Sequence, residues 1–229
     1  DAFLDGVDLY VDSLDFFAVE TRRMVFSACA AKDIPAITAA PLGMGAAFLA
    51  FMPGRMTFEE YFRMEGKSES EQLLRFLVGL SPAMLQLRYL AERGRVNLDG
   101  HEGPSTAMAC ALCAGVAGTN ALKILLNRGD VVAAPWGLHF DAYRNRLKRT
   151  WRPWGNNNPV QRLMLGIARH SLRPPAATAC EQCAPQTPGE RILDLARWAP
   201  SGDNEQPWRF ETLADDHFSR EAVSRINHF

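Results

Sequence analysis

The chain has 229 residues, 47% of them apolar, with 25 Lys and Arg against 26 Asp and Glu for a net charge of −1. That length and apolar content allow one large core or two smaller ones, and the near balance of charge excludes an overall positive field for a phosphate backbone or an anionic membrane surface. The uninterrupted apolar run around residues 107–117 falls short of the roughly 20 that a membrane span requires, and five scattered cysteines fit a reducing compartment, so a cytoplasmic protein with neither nucleic acid nor membrane as partner is expected.

Val7 to Val11 reads as a buried strand that runs into a loop at Asp12-Ser13-Leu14-Asp15. Good helix formers follow from Ala18 to Ala31, and Ile34 to Ala39 is a second strand with Pro35 near its start, where no ladder donor is needed. A strand, helix, strand succession of this length is a βαβ unit, so the two strands should be parallel neighbours and the fold class α/β. Gly43 and Gly45 mark a turn, and Ala46 to Phe51 a third strand. Ser68 with Glu71 is a capping-box pattern ahead of a helix ending at Ser81-Pro82. A long helix rich in Ala, Cys and Gly spans about residues 105–126, with Gly129 as its cap.

His139 to Trp151 reads as an exposed edge strand among basic residues. From 151 to 187 the prolines and three consecutive asparagines predict a linker, interrupted by a short helical run near Gln161 to Ser171. Thr187-Pro188-Gly189-Glu190 then supplies cap, first-turn proline and box glutamate for a helix over Pro188 to Ala199. The chain opens without a methionine and stops soon after a new amphipathic segment begins, so further chain is expected at both ends.

Asp12 and Asp15 stand at the carboxyl end of a buried strand, where open α/β sheets gather their ligands. A carboxylate there can hold Mg²⁺ beside phosphate oxygens. Both can equally be turn residues that bond local backbone donors. Cys110-x-x-Cys113 falls inside an apolar helix and Cys180-x-x-Cys183 in the linker, so neither pair makes up the four ligands of a structural zinc site. Cys29 reads as a core residue, and the five histidines have no ligand-like spacing.

The run Val11-Asp12-Ser13-Leu14-Asp15-Phe16-Phe17, followed by Arg22 or Arg23, Ala28-Cys29, Ile34-Pro35 and a Gly-bearing turn, resembles the ThiF/MoeB and ubiquitin-activating-enzyme family. Ala121-Leu122-Lys123 and Phe140-Asp141-Ala142 continue the likeness, which covers residues 1–150 as the C-terminal part of a nucleotide-binding domain with a partial Rossmann-like sheet and flanking helices. The resemblance implies ATP-dependent adenylation of a carboxylate, such as the C-terminus of a small ubiquitin-like protein, by a homodimer. It makes Asp15 the catalytic Mg-ATP residue, with Arg22 beside it. Phe16 departs from the family's Asn, and Asn120 from its usual acid. The family's Gly-rich phosphate loop belongs before residue 1, so this stretch by itself is expected to be inactive.

Ala196 to Phe210 resembles the first helix and turn of the FMN nitroreductase family, so residues 188–229 read as the start of an α+β nitroreductase-like module. That likeness implies FMN contacts from Ser201, Asn204 and Gln206, whose short polar groups can meet the ring edge without covering its face. The alternative is a flavin oxidoreductase whose front domain is a non-catalytic binding or dimerisation module.

Overall fold

The computed structural model of the chain describes residues 2–89, 106–171, 208–214 and 217–222, divided into one unit from Asp1 to Arg173 and a second from Pro174 to Phe229. In the first unit five strands form one open sheet: β1 (Tyr10–Asp12), β2 (Ala36–Leu42), β3 (Gly45–Phe51), β4 (Trp136–Asp141) and β5 (Arg146–Trp151), in spatial order β1-β2-β3-β4-β5. β1 and β2 pair in parallel, Val11 opposite Ile37, with helix α1 (Val19–Ala31) as the crossover. The expected parallel pairing and α/β class are therefore observed, although the first strand begins at Tyr10 rather than Val7. The other three pairings are antiparallel.

β3 is buried along its whole length, Gly45 to Phe51, because helices cover one face of the sheet and α4 the other. On the first face Phe26, Phe51, Phe58, Phe62 and Phe76 form an aromatic cluster, with Phe58 4.5 Å from Phe62 and Phe62 5.2 Å from Phe76 between ring centroids. Each such ring contributes roughly 1.5–3 kcal/mol by leaving water. The cluster joins α1, α2 (Phe58–Phe62) and α3 (Glu69–Leu80) to β3. α2 carries a complete capping box between Thr57 and Glu60, which the sequence reading passed over. At α3 only half of the expected box forms: Ser68 Oγ accepts the Glu71 N–H at 3.4 Å, while the Glu71 carboxylate bonds Arg75 and Arg169.

α4 (Ala107–Leu125) lies along β2 and β3 and buries Ala109, Cys113 and Asn120, leaving Met108, Leu122, Leu125 and Leu126 exposed. Over its full 19 residues it is long and apolar enough to cross a membrane, a property missed by counting only the uninterrupted apolar run. The first left-handed residue past α4 is Asn127 (φ 47°), two places before the expected Gly129 cap. The expected single edge strand from His139 to Trp151 is a hairpin instead. Asn145, left-handed at φ 49°, closes the turn, so His139 and Phe140 belong to the inner strand β4 and the basic edge is β5 alone.

The stretch expected as a linker from 151 is packed chain up to residue 171. Trp151 closes β5, and α5 (Pro159–Ser171) lies on α3 through Leu165 against Leu74 and Val78. Gly155 (φ 54°) lets the turn ahead of α5 lie against α2, since a Cβ there would run into the Tyr61 carbonyl. In the second unit, β6 (Trp208–Ala214) and β7 (His217–Ala222) form an antiparallel pair with an irregularity between Thr212 and Ala214. The expected helix over Pro188 to Ala199 lies outside the described residues.

Candidate functional site

Because β1, β2 and β4 all run in the same direction, their carboxyl ends meet at one edge of the sheet. That edge holds the Asp12–Phe17 loop, the Gly43–Met44 turn and Asp141. The loop leads into α1, whose N-terminus receives no side-chain cap. An uncapped helix start presents backbone N–H groups and the positive end of the helix dipole, both of which favour an anion.

The two candidate aspartates have different tasks. Asp12 is buried: its Oδ1 accepts the Leu14 N–H at 3.1 Å and its Oδ2 pairs with Arg22 Nε at 2.7 Å. Asp15 is exposed, and its Oδ1 accepts the Phe17 N–H at 2.9 Å, which turns the chain toward α1. Asp12 thus fits the turn-residue reading. Asp15 combines a turn bond with a carboxylate open to solvent at the sheet's ligand edge.

Arg22, expected at Mg-ATP, is occupied by the protein itself. It is 2% exposed, and besides Asp12 its guanidinium donates to Leu14 O at 2.7 Å, Asp15 O at 3.0 Å and Phe16 O at 3.2 Å. Its underside rests on the Phe76 ring, 4.5 Å from the centroid. A fork of fixed donors can hold three carbonyls and a carboxylate at once, which a lysine cannot. As folded here, Arg22 is the brace of the Asp15 loop rather than a group presented to a ligand. Phe16, where the family has Asn, packs on Phe76 at 5.3 Å and ties the same loop to the aromatic cluster.

At the far side of the edge the sequence reading missed a polar network. Tyr89 Oη donates to Asp141 Oδ2 at 2.8 Å and accepts the Met44 N–H at 2.8 Å, while Thr106 Oγ1 donates to Gly43 O. These bonds fix the β2–β3 turn, and Gly43 (φ 62°) leaves the room that Tyr89 needs. Deeper in, Ser81 Oγ lies 2.9 Å from His139 Nδ1. Both are 1% exposed, so this Ser–His contact meets no substrate. Burial pushes the His139 pKa down to about 4, against the opposing pull of Asp141.

Of the cysteines, Cys29 is fully buried, and burial raises its thiol pKa, as a core residue should show. Cys110 is exposed and Cys113 buried, with burial pushing the latter up to about 12. Among the described residues no cluster of His, Cys, Asp and Glu could by itself hold a metal. A Mg²⁺ that arrives with phosphates needs only one or two carboxylates from the protein, and exposed Asp15 in front of the α1 N-terminus fits that demand. The FMN candidates Ser201, Asn204 and Gln206 lie outside the described residues.

The fold is that of an open-sheet α/β protein, and the edge at the carboxyl ends of its strands is where such sheets gather ligands. The chain belongs to the ThiF family, whose model matches residues 1–162. Solved structures with looser likeness include E. coli MccB with succinimide, at 13% identity and a TM-score of 0.43 over 69% of this chain and 41% of that one. E. coli MccB with ATP matches at 15% identity and a TM-score of 0.41, over 70% of this chain and 41% of that one. The microcin C7 biosynthetic enzyme MccB with N-formylated MccA matches at 13% and 0.42, over 70% and 43%. The chain spans less than half the length of these solved proteins. No curated protein matches it.

Proposed function

We propose that this chain contributes the metal-facing loop of an ATP-dependent adenylyltransferase that activates a carboxylate. The observation that carries the reading is the exposed Asp15 carboxylate at the carboxyl edge of the sheet, in a chain of the ThiF family. Adenylation joins a carboxylate oxygen to the α-phosphorus of ATP and releases pyrophosphate, and Mg²⁺ supplies charge neutralisation on the phosphates. Asp15 would hold that ion. Arg22 and Asp12 hold the Asp15 loop, and the α1 N-terminus offers N–H donors to a phosphate oxygen. A peptide or small protein C-terminus is the substrate class that the family resemblance supports, and a homodimer the assembly.

The flavin part of the reading rests on the likeness of Ala196 to Phe210 to the nitroreductases alone. FMN would meet Ser201, Asn204 and Gln206.

Exchange of labelled pyrophosphate into ATP tests the main reading. Asp15→Asn keeps side-chain volume and removes the charge, so exchange by the intact protein should fall about a hundredfold or more, on the order of 3 kcal/mol in barrier. Full exchange in this variant would remove Asp15 from the chemistry.

A further inference from the structure

The two outer strands of the sheet are unlike. β1 ends it with three residues, whereas β5 ends it with six, Arg146–Trp151, which pair with β4 in unbroken register and include no proline. Shortness, a bulge or a proline closes an edge to a further strand, and β5 has none of them. The Arg152 N–H donates to Pro135 O at 2.9 Å, and antiparallel bonding alternates from there along the ladder. Gly137–Thr150, His139–Lys148 and Asp141–Arg146 are therefore the bonded pairs, and the backbone N–H and C=O groups of Leu147, Arg149 and Trp151 point away from the sheet. Trp151 O accepts from the Arg152 guanidinium at 3.0 Å.

The side chains of β5 sort by face. Leu147, Arg149 and Trp151 share one face with Phe140, Leu138 and Trp136, their partners on β4. There the Arg149 guanidinium lies 4.4 Å from the Trp136 ring centroid, while Leu147 and Trp151 are 66% and 54% exposed. Arg146 and Lys148 stand exposed on the other face, without an ion pair or side-chain hydrogen bond among the described residues. Three cations and no acid on the strand oppose pairing with a second copy, since a register centred on Lys148 or on Arg149 sets that residue against itself. The same charges attract a strand with carboxylates opposite Arg146 and Lys148. Leu147 and Trp151 favour apolar side chains at the positions between.

We propose that β5 is the docking edge for an extended segment of a partner protein in which acidic and apolar residues alternate. The segment adds as an antiparallel sixth strand. Its apolar residues bond the backbone of Leu147, Arg149 and Trp151, and its carboxylates lie beside Arg146 and Lys148. A single-stranded nucleic acid would use the cations and Trp151 but leave the outward N–H and C=O groups without partners. The proposal does not depend on adenylation, and its test contains no ATP.

The probe is a fluorescein-labelled peptide that alternates Glu and Val, followed by anisotropy on the intact protein. It should bind, and a peptide with Lys in place of Glu should not. Binding should weaken as ionic strength rises from about 0.05 to about 0.5 M. In the proposed pairing the valines turn their N–H groups toward β5 and the glutamates turn theirs away. N-methylation of the valines should therefore abolish binding, while N-methylation of the glutamates should leave it within about threefold. Lys148→Glu should weaken binding about tenfold or more by turning an attraction into a repulsion, with an unchanged melting temperature. If Lys148→Glu lowers the melting temperature, Lys148→Gln, which only removes the charge, decides, with a loss of about threefold expected. No binding to the wild-type protein, equal binding by the Lys148 variants, or equal binding of the two N-methylated peptides overturns the proposal. Binding of a labelled oligothymidylate in place of the Glu-Val peptide also overturns it, since that would make the edge a nucleic-acid patch.

Discussion

The Asp12–Arg22 pair beneath the β1 loop and the Glu71–Arg75–Arg169 cluster between α3 and α5 use the same functional groups to different ends. In the first, both side chains are at most 3% exposed, and every acceptor the arginine meets, the Asp12 carboxylate and three backbone carbonyls, belongs to the stretch from Asp12 to Phe16. Such a pair fixes a conformation, because any rearrangement strands a charge away from water. In the second, Glu71 is 19%, Arg75 13% and Arg169 47% exposed, so solvent partly screens the attraction of Arg169. Burial makes the first a positioning device, and partial exposure leaves the second a weaker tie between α3 and α5.

The contrast is open to measurement, with the largest effect expected at the buried pair. Arg22→Ala should lower unfolding free energy by about 3–5 kcal/mol in chemical denaturation, since it leaves Asp12 as a lone buried charge. Arg22→Lys should recover little of this, because an ammonium cannot serve Asp12 and three carbonyls together. If Arg22→Ala cost less than about 1 kcal/mol, the loop would not depend on the pair and the distinction would fail.

A smaller effect separates burial from pairing. The folded pKa of His139 is pushed below its ordinary value to about 4 by burial. The unfolded chain therefore takes up a proton that the folded one refuses. The His139 contribution is fully present above about pH 6.5 and drains away as pH falls toward 4, by about 2–3 kcal/mol. His139→Gln should flatten the pH dependence of stability across that window. An unchanged slope would show that His139 is not held neutral.

The smallest effect belongs to the exposed cluster. Hydrogen bonds from Arg169 and then Arg75 lower the Glu71 pKa. The stability it brings is present above the unfolded carboxyl value and lost as pH falls through the lower folded one. Glu71→Gln should cost less than about 1 kcal/mol at neutral pH, and less still at high salt.

The β1–α1–β2 crossover was legible in the sequence because apolar periodicity, helix formers and Pro35 agree at every level, and parallel pairing follows from the crossover. Asp12 and Asp15 were legible as strand-end residues, but not their division of labour. That division depends on Arg22, whose main acceptors are backbone carbonyls and carry no sequence signature. The Tyr89–Asp141 contact spans 52 positions and the Arg169–Glu71 contact 98, so neither appears in any local pattern. The β4–β5 hairpin did leave a signal, since Asn145 is of the type that accepts the left-handed region. Helix α5 was visible as a helical run, but its packing on α3 was hidden by the prolines and asparagines around it.

The central claim is that a buried brace presents an exposed Asp15 to the metal that accompanies ATP. Thermal unfolding of the intact wild-type and Asp15→Asn proteins, with and without Mg-ATP, tests it most directly. The account predicts equal melting temperatures without ligand, a rise on adding Mg-ATP for wild type by the usual linkage, and little or none for Asp15→Asn. An equal rise in both proteins would contradict it.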